Sequence, residues 1–248
     1  MPNLRKNVLR MFLDTSSKLS DLVNFSPKIG AALHDLGIYF HQYHENSLEE
    51  ICRKKSLNAQ RVIQSLEQAI QNNFPPPLDL SEVSLDMVIA YLQQTHAIFI
   101  KKKLPYLAYL IDNLPNQNTA AKEVKMIFPL FLEDFIKHIY QEEDIVFGYI
   151  LQLQKIVRHR RVSFVYKEQI ESHAIQVIQA EHQHDDELLG LCQLVEEMKE
   201  NDPTCWEIGV LKEATFQLRT ELCLHAQIED EILLPRAALL ENIAQLYI

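Results

Sequence analysis

Two histidine patterns that repeat along the chain supply the residues most suited to chemistry. Each pattern begins with a lone histidine on the apolar stripe of a predicted helix and ends with a His-x-x-x-Glu motif, whose two side chains share a helix face. The two histidines are 42 residues apart in the first pattern and 43 in the second. The repeated residues are His96, His138 and Glu142, followed by His182, His225 and Glu229.

Helical periodicity turns these histidines toward an apolar interior. His182, for example, shares a stripe with Ile175 and Leu189, two turns before and after it. Taken alone, a buried histidine is most often a core residue with a hydrogen-bond partner nearby, so one instance would not indicate a site.

The glutamates make the pattern more informative, because each would enter the same interior as its histidine. An ionised carboxylate buried without a partner costs several kcal/mol, which a protein avoids by exposing it, pairing it or binding a metal. Exposure is the alternative, since the acidic tracts QEED and IEDE would be solvated readily. The repetition of both motif and spacing favours a metal, with four imidazoles and two carboxylates converging on a dinuclear site.

Ligands of this kind indicate iron, with manganese as the weaker alternative. Mixed imidazole and carboxylate ligation suits these ions better than copper(I) or a thiolate-bound structural zinc. Two iron ions joined by two glutamates and an oxo or hydroxo bridge would leave positions open for a small molecule. Asp134 and Glu221, each four residues before a motif histidine, either accept the free imidazole N–H groups or lie exposed.

Four long helical patterns carry these ligands and predict an antiparallel four-helix bundle. The first begins after Ser84, a candidate N-cap, and both His-x-x-x-Glu motifs are followed by an expected helix breaker, Gly148 or Pro235. Upstream, the run NNFPPPLDLSE cannot continue a helix, because consecutive prolines lack N–H donors. The sequence therefore predicts an all-α protein with a small helical domain at 1–75 and the bundle at 80–248.

Composition argues against several classes of protein. The formal net charge of -10 disfavours a nucleic-acid binder. No apolar run approaches the ~20 residues needed to cross a bilayer, and the N-terminus lacks a segment of signal-peptide type. The four cysteines are scattered, which fits neither a disulfide framework nor a zinc motif. We therefore expect a cytoplasmic protein that binds neither nucleic acid nor membrane.

Four segments around the candidate ligands read THAIFIKKKLP, HIYQEEDIVFGYI, EHQHDDELL and HAQIEDEILLPRA. They resemble the motifs of the hemerythrin-like cation-binding fold and, more closely, those of the repair-of-iron-centres (Ric) proteins. The resemblance implies that the six repeated residues are iron ligands. It also implies a di-iron protein of the nitrosative and oxidative stress response, with damaged iron–sulfur proteins as partners and oxygen or nitric oxide as a small ligand.

The N-terminal stretch is similar to the short N-terminal domain of the same family, with one departure. Where the family typically has Cys-Cys-Gly-Gly, this chain has His41, Gln42, Tyr43 and His44, so the paired thiols are absent. The two histidines would suit a metal only if their segment were helical. We expect a solvated turn ahead of a helix that starts at Ser47.

Other functions stay open from the sequence. One is an oxygen or nitric oxide sensor, or an iron store, without turnover; another is a helical interaction module whose metal is structural. Reversible oxygen transport is the weaker interpretation, because the oxygen carriers use a further histidine for which this chain has no clear candidate. Enzymatic turnover and a homodimer are also left open.

Overall fold

The computed structural model describes residues 13–71, 80–115, 119–181 and 187–248. Within these ranges the chain forms α-helices, three π-helical segments and two short 3-10 helices, and it forms no β-strand. The prediction of an all-α protein is confirmed. In the same part of the chain, no helix combines the length and the apolar character that crossing a membrane requires.

The α-helices account for most of the described residues. In chain order they are α1 (Leu19–Phe25), α2 (Pro27–Asp35), α3 (Leu48–Lys54), α4 (Ala59–Gln71), α5 (Leu85–Ile98), α6 (Leu104–Asp112), α7 (Thr119–Gln141), α8 (Gly148–His159), α9 (Phe164–Glu171), α10 (Ala174–Glu181), α11 (Glu187–Asn201), α12 (Trp206–Ile228) and α13 (Leu234–Ala244). The 3-10 helices are Phe40–Gln42 and Gln245–Tyr247.

The chain divides into two compact units, each built from separate stretches of sequence. Unit 1 comprises 1–76, 104–126 and 191–217, and unit 2 comprises 77–103, 127–190 and 218–248. The domain boundary predicted between residues 75 and 80 falls in 72–79, outside the described residues.

Unit 1 contains short helices whose starts are set by local capping. Ser47 begins α3 as predicted: its hydroxyl accepts from the Glu50 backbone N–H, and the Glu50 carboxylate accepts from the Ser47 backbone N–H. This capping box satisfies two donors that the helix itself cannot satisfy. The apolar faces of α1 to α4 are fully buried at Leu19, Val23, Ile29, Leu33, Ile51 and Leu66.

Unit 2 has a core formed by α5, α8 and α13. The inward residues recur at helical spacing, so each helix presents one apolar stripe. They include Val88, Ile89, Leu92, Ile150, Leu153, Ala237 and Ala244. Burying each leucine or isoleucine contributes about 1.5–3 kcal/mol, and this core supports the segments that carry the candidate ligands.

Glu241 of α13 is a carboxylate that is 0% exposed in this core. It accepts a hydrogen bond from the Tyr149 hydroxyl at 2.6 Å and another from the backbone N–H of Ile175 at 3.3 Å. Ile175 lies in the first turn of α10, where N–H groups lack partners within the helix and favour a negative charge. Glu241 therefore stabilises the start of α10.

Three π-helical segments continue the long helices: Phe99–Lys103, Glu142–Phe147 and Glu229–Leu233. Each joins two α-helices, so the expectation that Gly148 and Pro235 end their helices was wrong. Gly148 has helical backbone angles (φ -56, ψ -45). Pro235 lies in the first turn of α13, directly after a π segment, where the altered winding has already interrupted the regular hydrogen-bond ladder that a proline would break.

Candidate metal centre

Four of the six predicted ligands meet in a buried cluster in unit 2. His96 and His225 lie in the last turns of α5 and α12, and Glu142 and Glu229 each open a π segment. All four residues are buried, and each offers a ligand atom that lies within 4.8 Å of the other three. Two imidazoles and two carboxylates at this spacing could hold a metal ion.

The ligand atoms point into one small volume. Nε2 of His96 is 2.8 Å from Nε2 of His225. Oε2 of Glu142 lies 3.3 Å from the His96 Nε2, and Oε1 of Glu229 lies 3.1 Å from the His225 Nε2. Whether these nitrogens carry hydrogen or lone pairs is decided by the partners of the other ring nitrogens.

Thr95 fixes the tautomer of His225. Its hydroxyl donates to the carbonyl oxygen of Leu92 at 2.7 Å, a bond within the helix. Because that single hydrogen is already used, Thr95 Oγ1 can only accept from the His225 Nδ1, which is 3.0 Å away. His225 therefore carries its hydrogen on Nδ1 and presents a lone pair at Nε2.

Glu143 has the same effect on His96. Its Oε1 accepts a hydrogen bond from the His96 Nδ1 at 2.9 Å, which in a neutral imidazole leaves Nε2 with a lone pair. Burial by itself lowers the pKa of His96, but the hydrogen bonds to Glu142 and Glu143 outweigh it, so the pKa is raised above its usual value. The surroundings of His96 thus attract a cation, either a proton or a metal ion.

The two tautomers and the two carboxylates together define the chemistry of the cluster. When both rings are neutral, their Nε2 lone pairs, 2.8 Å apart, repel each other, and two buried carboxylates add like charge to the same volume. A bound metal cation removes both penalties, because each lone pair then becomes a ligand. The four residues could therefore hold a metal ion, and the alternative is a proton on His96 that is shared with the His225 Nε2.

Two buried phenylalanines hold the planes of the imidazoles. Phe147 stacks on His96 with ring centroids 5.8 Å apart and planes 4° from parallel, and Phe99 meets His225 edge to face at 5.6 Å. Both rings place apolar surface against the cluster, which lowers the local dielectric and strengthens each charge interaction there.

Of the other two predicted ligands, His138 is not part of the buried cluster. The His138 side chain is 47% exposed, and its Nε2 lies 3.1 Å from Oε1 of Glu142. Glu142 thus directs one oxygen toward His96 and the other toward His138. His182 lies outside the described residues, so its role as a ligand stays a prediction.

The Nδ1 partners of His96 and His225 differ from the two acids considered in the sequence. Glu221 accepts a hydrogen bond from the Lys103 ammonium at 2.7 Å, and Asp134 is exposed. Sequence reasoning missed Thr95 and Glu143, whose one signal is that each adjoins a predicted ligand. Regular α-helical spacing places such neighbours about 100° around the helix from the ligand, so it does not indicate them.

A scan against models of protein families gave no match to this chain, and no curated protein sequence matches it. The function is therefore inferred from the chemistry of the site and from the motifs around it.

Proposed function

We propose that this chain is a non-haem di-iron protein with a hemerythrin-like antiparallel four-helix bundle. The observation that carries the proposal is the convergence of two imidazole lone pairs and two carboxylates in one buried volume. Of the ions that accept such mixed ligands, iron also suits the six-residue ligand set that the repeated motifs predict.

The two carboxylate oxygens of Glu142 face two different histidines, which supports a second ion. His96 and His225, with an oxygen from each glutamate, would hold one ion. The other oxygen of Glu142 faces His138, as a bridging carboxylate would require. His182, the sixth ligand that the sequence predicts, would be a further ligand of that second ion.

Iron bound here supplies reversible one-electron chemistry and open positions for a small ligand such as oxygen or nitric oxide. The protein's own groups hold the imidazoles in one tautomer, exclude water on the side of Phe99 and Phe147, and balance the charge of the ions.

We propose a cytoplasmic role in the response to nitrosative or oxidative stress, with repair of damaged iron–sulfur proteins as the activity. The support is the match of the four motif segments to the pattern of Ric proteins. The second candidate is a gas sensor or iron store of the same di-iron type. It is favoured by the absent Cys-Cys pair at His41 and Gln42, since imidazole and amide cannot perform thiol redox chemistry.

Metal analysis and visible absorption of the purified protein test the di-iron proposal. We expect two iron ions per chain and the absorption of a ferric pair, both lost in His225→Ala. His159→Ala removes an exposed histidine at the end of α8 and should keep both. Iron-supplied protein that holds no iron, or a single ion, would contradict the proposal. Restoration of a damaged iron–sulfur enzyme by the iron-loaded protein favours repair, and nitric oxide binding without such restoration favours the sensor.

A further inference from the structure

A second group of chemically competent side chains lies in unit 1, where Tyr109 of α6 contacts the 3-10 turn Phe40–Gln42. The Tyr109 hydroxyl oxygen is 3.0 Å from the backbone N–H of His41 and 2.9 Å from Nδ1 of the same residue. One phenol therefore makes two hydrogen bonds to a single histidine.

The direction of these bonds follows from the backbone. The His41 N–H can only donate, so the Tyr109 oxygen accepts it. The phenol hydrogen then has the Nδ1 lone pair of His41 within reach, and donating to it pairs both atoms, while the buried Nε2 of His41 has no partner among the described residues. The opposite tautomer would deprive the phenol hydrogen of this acceptor and is disfavoured. Tyr109 is thus a phenol hydrogen-bonded to a neutral imidazole base.

Electron-rich rings surround this pair and extend from it to the surface. Tyr39, which is 39% exposed, has its ring centroid 5.4 Å from that of Tyr109. On the other side, Trp206 stacks on His41 at 5.2 Å with planes 26° apart. His34 lies 5.2 Å from Tyr109. Such spacing between aromatic rings permits electron transfer from ring to ring.

Tyr109 differs from the buried tyrosine one turn earlier in the same helix. The Tyr106 hydroxyl has no hydrogen-bond partner among the described residues. Oxidising a phenol at neutral pH requires that its proton leave together with the electron, so a phenol with a base in contact is the easier one to oxidise. Tyr109 has that base and Tyr106 does not.

We propose that Tyr109 and His41 form a proton-coupled redox pair that takes up single oxidising equivalents. In this step the Tyr109 phenol gives one electron to a small radical oxidant of the nitrogen dioxide or carbonate radical class, which is reduced to its anion. The phenol O–H bond breaks as its proton moves to Nδ1 of His41, giving a neutral tyrosyl radical and an imidazolium. A one-electron reductant such as a thiolate or ascorbate then returns the electron, and the proton goes back from Nδ1 to the phenol oxygen.

The ionisation state of both groups is compatible with this role. Burial raises the pKa of Tyr109 to about 12, so the phenol keeps its proton at neutral pH. Burial lowers the pKa of His41 to about 4, with a smaller contribution from His44, so Nδ1 stays free to accept. The low basicity also favours return of the proton once the radical is reduced.

Photochemical one-electron oxidation of the full-length chain tests this inference. The chain is first incubated with zinc, because this ion is redox-inert. A ruthenium polypyridyl oxidant generated by a laser flash replaces the physiological radical, and EPR with transient absorption identifies the residue oxidised. We expect a tyrosyl signal that forms more slowly in deuterium oxide than in water. Tyr109→Phe should lose most of the signal, and His41→Phe should slow its formation while retaining the aromatic stacking.

Tyr106→Phe and Tyr140→Phe are the matched controls, one for a buried tyrosine in the same helix and one for an exposed tyrosine of unit 2. Both should keep the signal. An unchanged signal in Tyr109→Phe, or a formation rate in the unaltered protein that is the same in both solvents, would overturn the inference. If a variant fails to fold, equal formation rates in the two solvents would still overturn the inference, and neither measurement depends on iron at the metal centre.

Discussion

Replacing Glu143 with glutamine should weaken metal binding about ten-fold without displacing a ligand. The carboxylate now accepts a hydrogen bond from the His96 Nδ1 at 2.9 Å and is 30% exposed. A hydrogen bond to a charged acceptor contributes about 1.5–3 kcal/mol, against about 0.5–1.5 kcal/mol for a neutral one. The difference, about 1.4 kcal/mol, corresponds to a factor of ten in affinity. This factor lies at the lower end of the roughly 10–100-fold loss of metal affinity that follows when the outer partner of a metal-bound histidine is replaced, because solvent screens part of the charge.

Competition with a chelator of known affinity, followed for iron(II) or zinc at neutral pH, measures this effect directly. Asp144→Asn is the matched control, because it removes the same charge from the adjacent, exposed residue of the π segment. Equal losses from the two substitutions would show that net charge rather than the bond to His96 is responsible. An unchanged affinity in Glu143→Gln would refute the assignment of Glu143 as the group that orients His96.

Substitutions at three further positions have outcomes that the structure specifies. Thr95→Val should weaken metal binding, because the His225 Nδ1 loses its acceptor. Thr95→Ser keeps the hydroxyl and should bind metal as the unaltered protein does, and chelator competition distinguishes the two. Glu241→Leu should lower the unfolding free energy by about 2–4 kcal/mol, since two buried donors lose their acceptor, and thermal melting should show Glu241→Gln to be milder. The folded-state pKa of His41, about 4, lies below the usual value, so its contribution is present above pH 6.5 and lost as the pH falls toward 4. Urea unfolding, followed by the fluorescence of Trp206, the single tryptophan, should therefore show a larger loss of stability in the wild type than in His41→Phe across this window. The difference should be at most about 3 kcal/mol, less for partial exposure of the ring.

The local part of the candidate metal centre was predictable because helical geometry is local. His225 and Glu229 are four residues apart, so they share a helix face whatever the rest of the chain does, and their ligand atoms lie 3.1 Å apart. The start of α3 at Ser47 was predictable for the same reason, since its cap involves residues within one turn. The all-α class also came from sequence, from the helical periodicity together with the scarcity of glycine.

The π segments were not predictable, and they alter the course of the chain beyond the ligands. A chain read with a period of 3.6 ends its helices at the next glycine or proline, whereas here the helices continue through Gly148 and Pro235. A π turn spreads one extra residue over each turn, so side chains beyond Glu142 are rotated away from the positions that regular winding predicts.

The sequence alone therefore determined which residues have the chemistry to bind a metal, and only the tertiary structure decided which of them meet. His96 and His225 are separated by 129 positions, yet their Nε2 atoms are 2.8 Å apart. The periodicity of each helix specifies the face on which a histidine lies but not the rotation and height of that helix against another. Those are set by how whole apolar faces pack. For the same reason the bond partners of the imidazoles, Thr95 and Glu143, became visible only when the helices were packed together.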